Sequence, residues 1–284
     1  VSPNHIHLTI KNHSGSVEHY YHFLLGFLVP LVIEMENYQE NKIFLSSVFI
    51  RSCGPMDQHL LSLGYQNLKL INKNLHETAI SNKGVLANDP LNYQVVLGQD
   101  SGLDYDKNVL GRATKIIKKR LDTFHSHKNE KLKNSIDEPR VILIKRSLDH
   151  YYNSVNSEIK SSGIQRRSIA NIEELEAALR LKFSNFNLLI LEGTSLAYQL
   201  AEFRAADIVI AQHGAALANL IFARPGTKVI EIFPKGGKES EECFRSLAKC
   251  LKLSHYSFEQ DSKHAAIDVE GLLRLINIPK TVAQ

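Results

Sequence analysis

Three parts of this 284-residue sequence carry side chains of the types that could bind an anion. The apolar run Asp207–Ala211 leads into Gln212-His213-Gly214-Ala215-Ala216, which opens a helix. Small residues at a helix start let backbone N–H groups approach a phosphate, and the helix dipole favours negative charge there. Tight packing of helix on strand needs the same small residues, so both readings stand at this point; His213 favours a ligand, because a polar ring at such a turn faces the crevice. Arg166 and Arg167 are adjacent, just before the Ile169-Ala170-Asn171 entry to a helix, and Arg146 follows directly on an apolar strand. The planar guanidinium fork suits bidentate phosphate binding; a surface ion pair with Glu173 or Glu174 is the plainer account of either arginine. Glu231 lies inside an apolar strand, where an unpaired carboxylate is costly to bury. It either pairs with a buried cation or reaches a ribose or sugar hydroxyl.

Other chemistry is absent from the sequence. No GxGxxG follows a strand, and there is no GxxxxGK[ST], GxSxG or HExxH. His5 and His7 form one pair and His19 and His22 another, the latter at a spacing that shares a helix face, but no Asp, Glu or Cys completes a metal cluster. The three cysteines, Cys53, Cys243 and Cys250, cannot all pair and show no CxxC spacing, which argues against a disulfide scaffold or a zinc ribbon. Cys243 and Cys250 read as small apolar residues of one buried helix face.

The elements that must position these residues are most regular in the second half. Arg140–Lys145, Phe186–Leu191, Asp207–Ala211 and Lys228–Phe233 are strands apolar on both faces, as in a covered parallel sheet. A helix is expected to open at Asn171, which forms a capping-box pattern with Glu174, and to bury Ile172, Leu175 and Leu179; others are expected at Thr194–Ala206, Gly214–Ala223, Glu239–Leu251 and Asp268–Ile276. Alternation of this kind makes a doubly wound α/β domain. The first half is a looser α/β unit. His19–Ile33 reads as a buried helix disturbed at Pro30, followed by strands at Lys42–Ile50, Asn67–Ile71 and Tyr93–Leu97 and helices at Asp57–Leu63 and Lys107–Phe124. The basic run in the last of these reads as a solvated face. The polar stretch Ser126–Pro139 separates two domains, residues 1–130 and 138–284.

Composition narrows the class. Hydrophobic residues at 43% and charged residues at 23% are ordinary globular values. A net charge of +4 is too mild for a nucleic-acid binder, whereas an anionic small molecule stays open. The longest apolar stretch, Phe23–Ile33, falls short of the roughly 20 residues that span a bilayer. Asn12-His13-Ser14 fits a glycosylation sequon, and the chain begins at Val1, so a leader or anchor could have been removed.

Taken in order, these residues resemble glycosyltransferase family 61. The similarity begins at Tyr20-Tyr21-His22-Phe23-Leu24-Leu25 and Pro30-Leu31, and continues through Lys145-Arg146 and Arg166-Arg167-Ser168-Ile169-Ala170-Asn171 with Glu174. Its most specific part runs from Glu192 and Gln199 through His213-Gly214-Ala215-Ala216-Leu217, Asn219 and Phe222 to Pro225-Gly226-Thr227 and Glu231-Ile232-Phe233-Pro234. The resemblance implies a GT-B-like fold, two Rossmann-like α/β domains facing a cleft. It implies inversion at the anomeric carbon, a nucleotide-sugar donor, usually UDP-linked, a glycan acceptor, and no obligatory cofactor or metal. The donor phosphates would fall to Arg146, Arg166, Arg167, His213, Gly214, Ala215, Ala216 and Asn219, with Glu231 on a hydroxyl. His22 is the first candidate for the base that takes the acceptor proton; Asp89, Asp104 and Asp106 are alternatives. The stretch between Arg146 and Arg166 is longer than the family's usual link, which a mobile lid over the donor would explain.

The leading expectation is thus a transferase of capsule, lipopolysaccharide or other surface polysaccharide synthesis. A GT-B-like pyruvyl-type polysaccharide-modifying transferase and an inactive nucleotide-sugar-binding module are the alternatives. A cytoplasmic bacterial location, with peripheral association at the inner membrane face, fits the few cysteines; a trimmed secretory-pathway enzyme is the other reading.

Overall fold

The structure, a computed structural model, describes residues 5–10, 15–81, 105–124, 138–148, 163–235 and 242–277. The expected strand at Tyr93–Leu97, the sequon at Asn12, Asp89, Asp104 and most of the segments 126–139 and 147–165 lie outside them. The chain divides into two α/β units, Val1–Leu97 with Asp106–Ser126, and Gly98–Tyr105 with His127–Gln284. Tyr105, in the second unit, is held by the two cysteines of one helix. Its hydroxyl lies 3.4 Å from Cys243 Sγ, and Cys250 Sγ donates to its carbonyl at 3.2 Å.

In the first unit β1 (His5–His7), β2 (Ser47–Arg51) and β3 (Leu68–Ile71) form a parallel sheet in that order. The buried helix between β1 and β2 has three parts: α1 (Tyr20–Phe23), a π-helical turn (Leu24–Leu28) and α2 (Val29–Glu40). Pro30 explains the break, since it has no N–H to give the Gly26 carbonyl and its ring would strike that group. The chain widens one turn earlier, and Val29 N–H bonds Leu24 O instead. α2 ends with Lys42 at φ 56° and bonds from Lys42 N to Gln39 O and Ile43 N to Tyr38 O, a Schellman closure. That turn is why β2 starts at Ser47 and not at the expected Lys42. α3 (Asp57–Leu61) and α4 (Lys73–Ser81) flank β3. α5 (Lys107–Phe124) buries Leu110, Ala113, Ile117 and Leu121, and its Arg112 donates to Asn37 and Glu40 of α2 at 2.8 and 2.9 Å.

The second unit runs β4 (Val141–Ile144), α6 (Gly163–Arg166), α7 (Ile172–Lys182), β5 (Phe186–Leu189), α8 (Leu196–Ala205) and β6 (Ile208–Gln212). After a 3₁₀ helix (Ala215–Phe222) come β7 (Lys228–Pro234), α9 (Glu242–Cys250), β8 (Ser254–Gln260) and α10 (Val269–Asn277). All five strands are parallel, in the order β5-β4-β6-β7-β8. One sheet face packs Leu143, Ile210, Ile230 and Ile232 against Leu175 and Leu179 of α7 and Leu272 of α10. By the alternation of strand side chains, Ala211, Glu231, Phe233 and His255 fall on the other face, where the 3₁₀ helix and α9 lie. Two local expectations differ. Residues 215–222 wind as a 3₁₀ helix, not an α-helix. Asn171 precedes α7 but does not cap it with its side chain, which instead bonds Glu174, the Ile267 carbonyl and the Ile267 N–H.

Candidate functional site

β4 and β6 are neighbours, yet the chain leaves them toward opposite edges of the sheet. Their carboxyl ends therefore bound a topological switch point, where open parallel sheets bind ligands. Arg146 stands two residues beyond β4, and His213-Gly214 directly beyond β6. Arg146 Nη2 donates to the His213 carbonyl at 2.5 Å, and Arg167 Nη1 donates to the same oxygen at 3.0 Å. Two guanidiniums thus share one acceptor, and a third, Arg166, lies exposed at the end of α6. Arg167 is buried to 1% exposure. Burial, then the Arg166 charge, brings Arg146 down to about 10 against the pull of Glu192. Burial, then Arg146 and Arg166, brings Arg167 down to about 10 against the pull of Glu231. Such mutual destabilisation of like charges is what a bound polyanion would relieve.

Several contacts hold this arrangement. A Cβ on Gly214 would collide with Arg146 Nη2, so only glycine lets the guanidinium lie against the turn. Arg146 Nε has no hydrogen-bond partner among the described residues, so the protein does not saturate the fork. Gln212 Nε2 donates to Ser168 O at 3.1 Å and to Gln260 Oε1 at 2.6 Å, while Gln260 Nε2 donates to Ser168 O at 2.8 Å. The segment carrying Arg167 is thereby tied to the ends of β6 and β8. Glu173 and Glu174, the ion-pair partners considered for Arg166 and Arg167, bond Lys145 at 3.1 Å and the Asn171 amide at 2.9 Å.

Two expected ligand contacts are placed elsewhere. Glu231 is 1% exposed, its Oε1 lies 2.5 Å from His213 Nδ1, and its Oε2 lies 2.7 Å from His255 Nε2. With both oxygens engaged inside the protein, it does not reach a ribose or sugar hydroxyl; the buried-partner alternative describes it better. Burial pushes its carboxyl up, but the hydrogen bonds and charges of His213 and His255 outweigh burial and hold it below the ordinary carboxylate range. Asn219 is fully buried, and its amide donates to Gln199 Oε1 at 2.9 Å and to Ala216 O at 3.2 Å. It fastens the 3₁₀ helix to α8 and does not face a phosphate. Ala215 and Ala216 begin the 3₁₀ helix, whose first N–H groups have no acceptor within it.

Sequence reasoning missed His255, Gln212 as a clamp, and Gln260. All lie on or next to strand ends, and the alternation of β8 (SHYSFEQ) was the available signal.

In the first unit Glu18 packs beside Gly54, just beyond the carboxyl end of β2. His22, one α1 turn later, is half-buried, and its ring lies so close to Gly15 that a Cβ there would be 2.6 Å from Nε2. Its centroid is 5.3 Å from those of His19 and Tyr21. Asp106 accepts from the N–H groups of Asn108 and Val109 at the start of α5 at 2.8 and 3.1 Å, a capping role. Among the described residues no group of three His, Cys, Asp or Glu could hold a metal, and no helix is long and apolar enough to cross a membrane.

No curated protein matches this sequence. Residues 20–230, most of the chain, match the family glycosyltransferase 61. That span takes in Arg146, Arg166, Arg167, the His213–Ala216 turn and His22, and two parallel-sheet units are what a GT-B-like fold requires. The chain belongs to glycosyltransferase family 61 and is a glycosyltransferase.

Proposed function

We propose that this glycosyltransferase inverts the anomeric centre of a UDP-linked sugar as it passes it to a glycan acceptor, in the synthesis of a capsule, lipopolysaccharide or related surface polysaccharide. The observation that carries this reading is the convergence of Arg146 and Arg167 on one carbonyl at the switch point of the second sheet, with Arg166 beside them. In a single displacement the acceptor hydroxyl attacks C1, its proton passes to a base, and the nucleoside diphosphate departs with the bonding electrons. The guanidiniums and the start of the 3₁₀ helix are preorganised counter-charge for that departure. His22 is the proposed base, supported by its half-buried ring against Gly15, in the helix that follows β1. The donor reading is tested by calorimetry with UDP, UMP and uridine. UDP should bind at least about tenfold more tightly than UMP, because the second phosphate adds charge-assisted hydrogen bonds. Equal affinity for UDP and uridine would remove the diphosphate from the turn.

A further inference from the structure

His213, Glu231 and His255 form a buried chain that runs from the carboxyl end of β6, through the middle of β7, to the second residue of β8. An apolar side chain at 231 would fill the same interior without a desolvation cost, so the sheet alone does not explain the carboxylate. His213 is held at three points. Its N–H continues the ladder to Ile232 O at 2.8 Å, its ring is fixed by Glu231, and its carbonyl receives both guanidiniums. Phe233 and Phe244 stand edge-on to that ring, with centroids at 4.8 and 5.3 Å. Glu231 could turn about its terminal bond if His213 alone held it, leaving one buried oxygen without a donor. His255, whose side chain is 6% exposed, supplies that donor.

We propose that His255 is a positioning residue of the donor site: through Glu231 it fixes the ring of His213, and with it the carbonyl on which Arg146 and Arg167 converge. This rests on the reading that the turn binds a diphosphate. A carboxylate only accepts hydrogen bonds, so the chain requires a proton on Nδ1 of His213 and on Nε2 of His255. The titratable and charged groups facing Glu231 are these two imidazoles and the Arg167 guanidinium; Arg245 of α9 is exposed and pairs with Glu242 at 2.7 Å.

The test combines ¹⁵N-histidine NMR with UDP titration across pH. In the wild type, His213 should carry its proton on Nδ1 and His255 on Nε2, the former as a downfield, slowly exchanging signal. His255→Phe removes the donor: the His213 signal should shift or vanish, UDP affinity should fall about tenfold, and the acid limit of UDP binding should move to higher pH. His255→Gln keeps an N–H donor and should restore the wild-type profile. A His213 proton on Nε2 in the wild type overturns the proposal, and so does a His255→Phe variant with wild-type UDP affinity and pH profile. If His255→Phe does not fold, the wild-type tautomers and the His255→Gln profile still decide. Should the wild type not bind UDP at all, the donor reading falls separately, while the tautomers still report whether His255 governs His213.

Discussion

Arg167 and Arg146 point at one carbonyl oxygen, and the energetic consequence follows from their charges. Each bond to that oxygen is charge-assisted, yet burial first, and then neighbouring guanidinium charge (Arg166 for Arg146; Arg146 and Arg166 for Arg167), brings both side chains down to about 10. Arg167 is also a large, fully buried side chain, so its removal is read in ligand affinity and thermal melting side by side. Arg167→Ala should weaken UDP binding about 10- to 100-fold, the equivalent of about 1.5–3 kcal/mol for hydrogen bonds to a charged group. Arg167→Lys, which keeps the charge but loses the planar fork, should fall between. Unchanged affinity in both variants, by calorimetry, would take Arg167 out of the site. Glu231 makes a pH-dependent contribution of known sign. Its folded pKa lies below the ordinary value of 4.5, so its charge stabilises the fold above that value and ceases to do so as pH falls through the folded pKa. The gap in melting temperature between wild type and Glu231→Gln should be widest above about pH 5 and shrink below the ordinary carboxylate range. A gap independent of pH would show that Glu231 is not held as a carboxylate. The sequence made it plain that this carboxylate needed a partner, because it interrupts an apolar strand. It could not name the partners, which come from a turn and from a strand with no other mark of function.

At the scale of elements, legibility followed burial. β4, β6 and β7 are covered on both faces and read as unbroken apolar runs, and so they were expected nearly where they lie. β8 is an edge strand whose exposure alternates, with polar residues at most positions, and it was missed together with His255. β1 has three residues, too few for a period to show. The 215–222 helix was visible as a helix but not as a 3₁₀ one, since apolar content says nothing of hydrogen-bond register. The strand-to-helix turn before it carries a prediction. Gly214→Ala places a methyl group against Arg146 Nη2, the far end of a flexible side chain, which can move aside. The variant should melt within a few degrees of wild type and lose UDP affinity about tenfold through displacement of the guanidinium. A large loss of stability with unchanged affinity would mean that the glycine serves the backbone alone.

Across the whole molecule, the residues proposed to hold the donor all belong to the second unit, while His22, the proposed base, belongs to the first. If the units divide the work as proposed, their defects separate in kinetics. The proton on the acceptor hydroxyl must leave during attack, and a positioned base contributes about 10²–10⁴-fold to such a step. The diphosphate gains nothing from that base in the ground state. His22→Ala should therefore lower the rate of UDP release from the productive UDP-sugar, in the presence of acceptor, by about a hundredfold or more, while UDP affinity stays within about twofold of wild type. Arg167→Ala should reverse the pattern's emphasis and weaken UDP binding first. The two variants, measured side by side with a panel of UDP-sugars, test the division directly. Near-normal turnover in His22→Ala would move the search for the base to Glu18, the carboxylate four residues earlier that lies beside Gly54, just beyond β2. A parallel loss of UDP affinity in His22→Ala would instead place the ring in donor binding, and the assignment of acceptor chemistry to the first unit would fall with it.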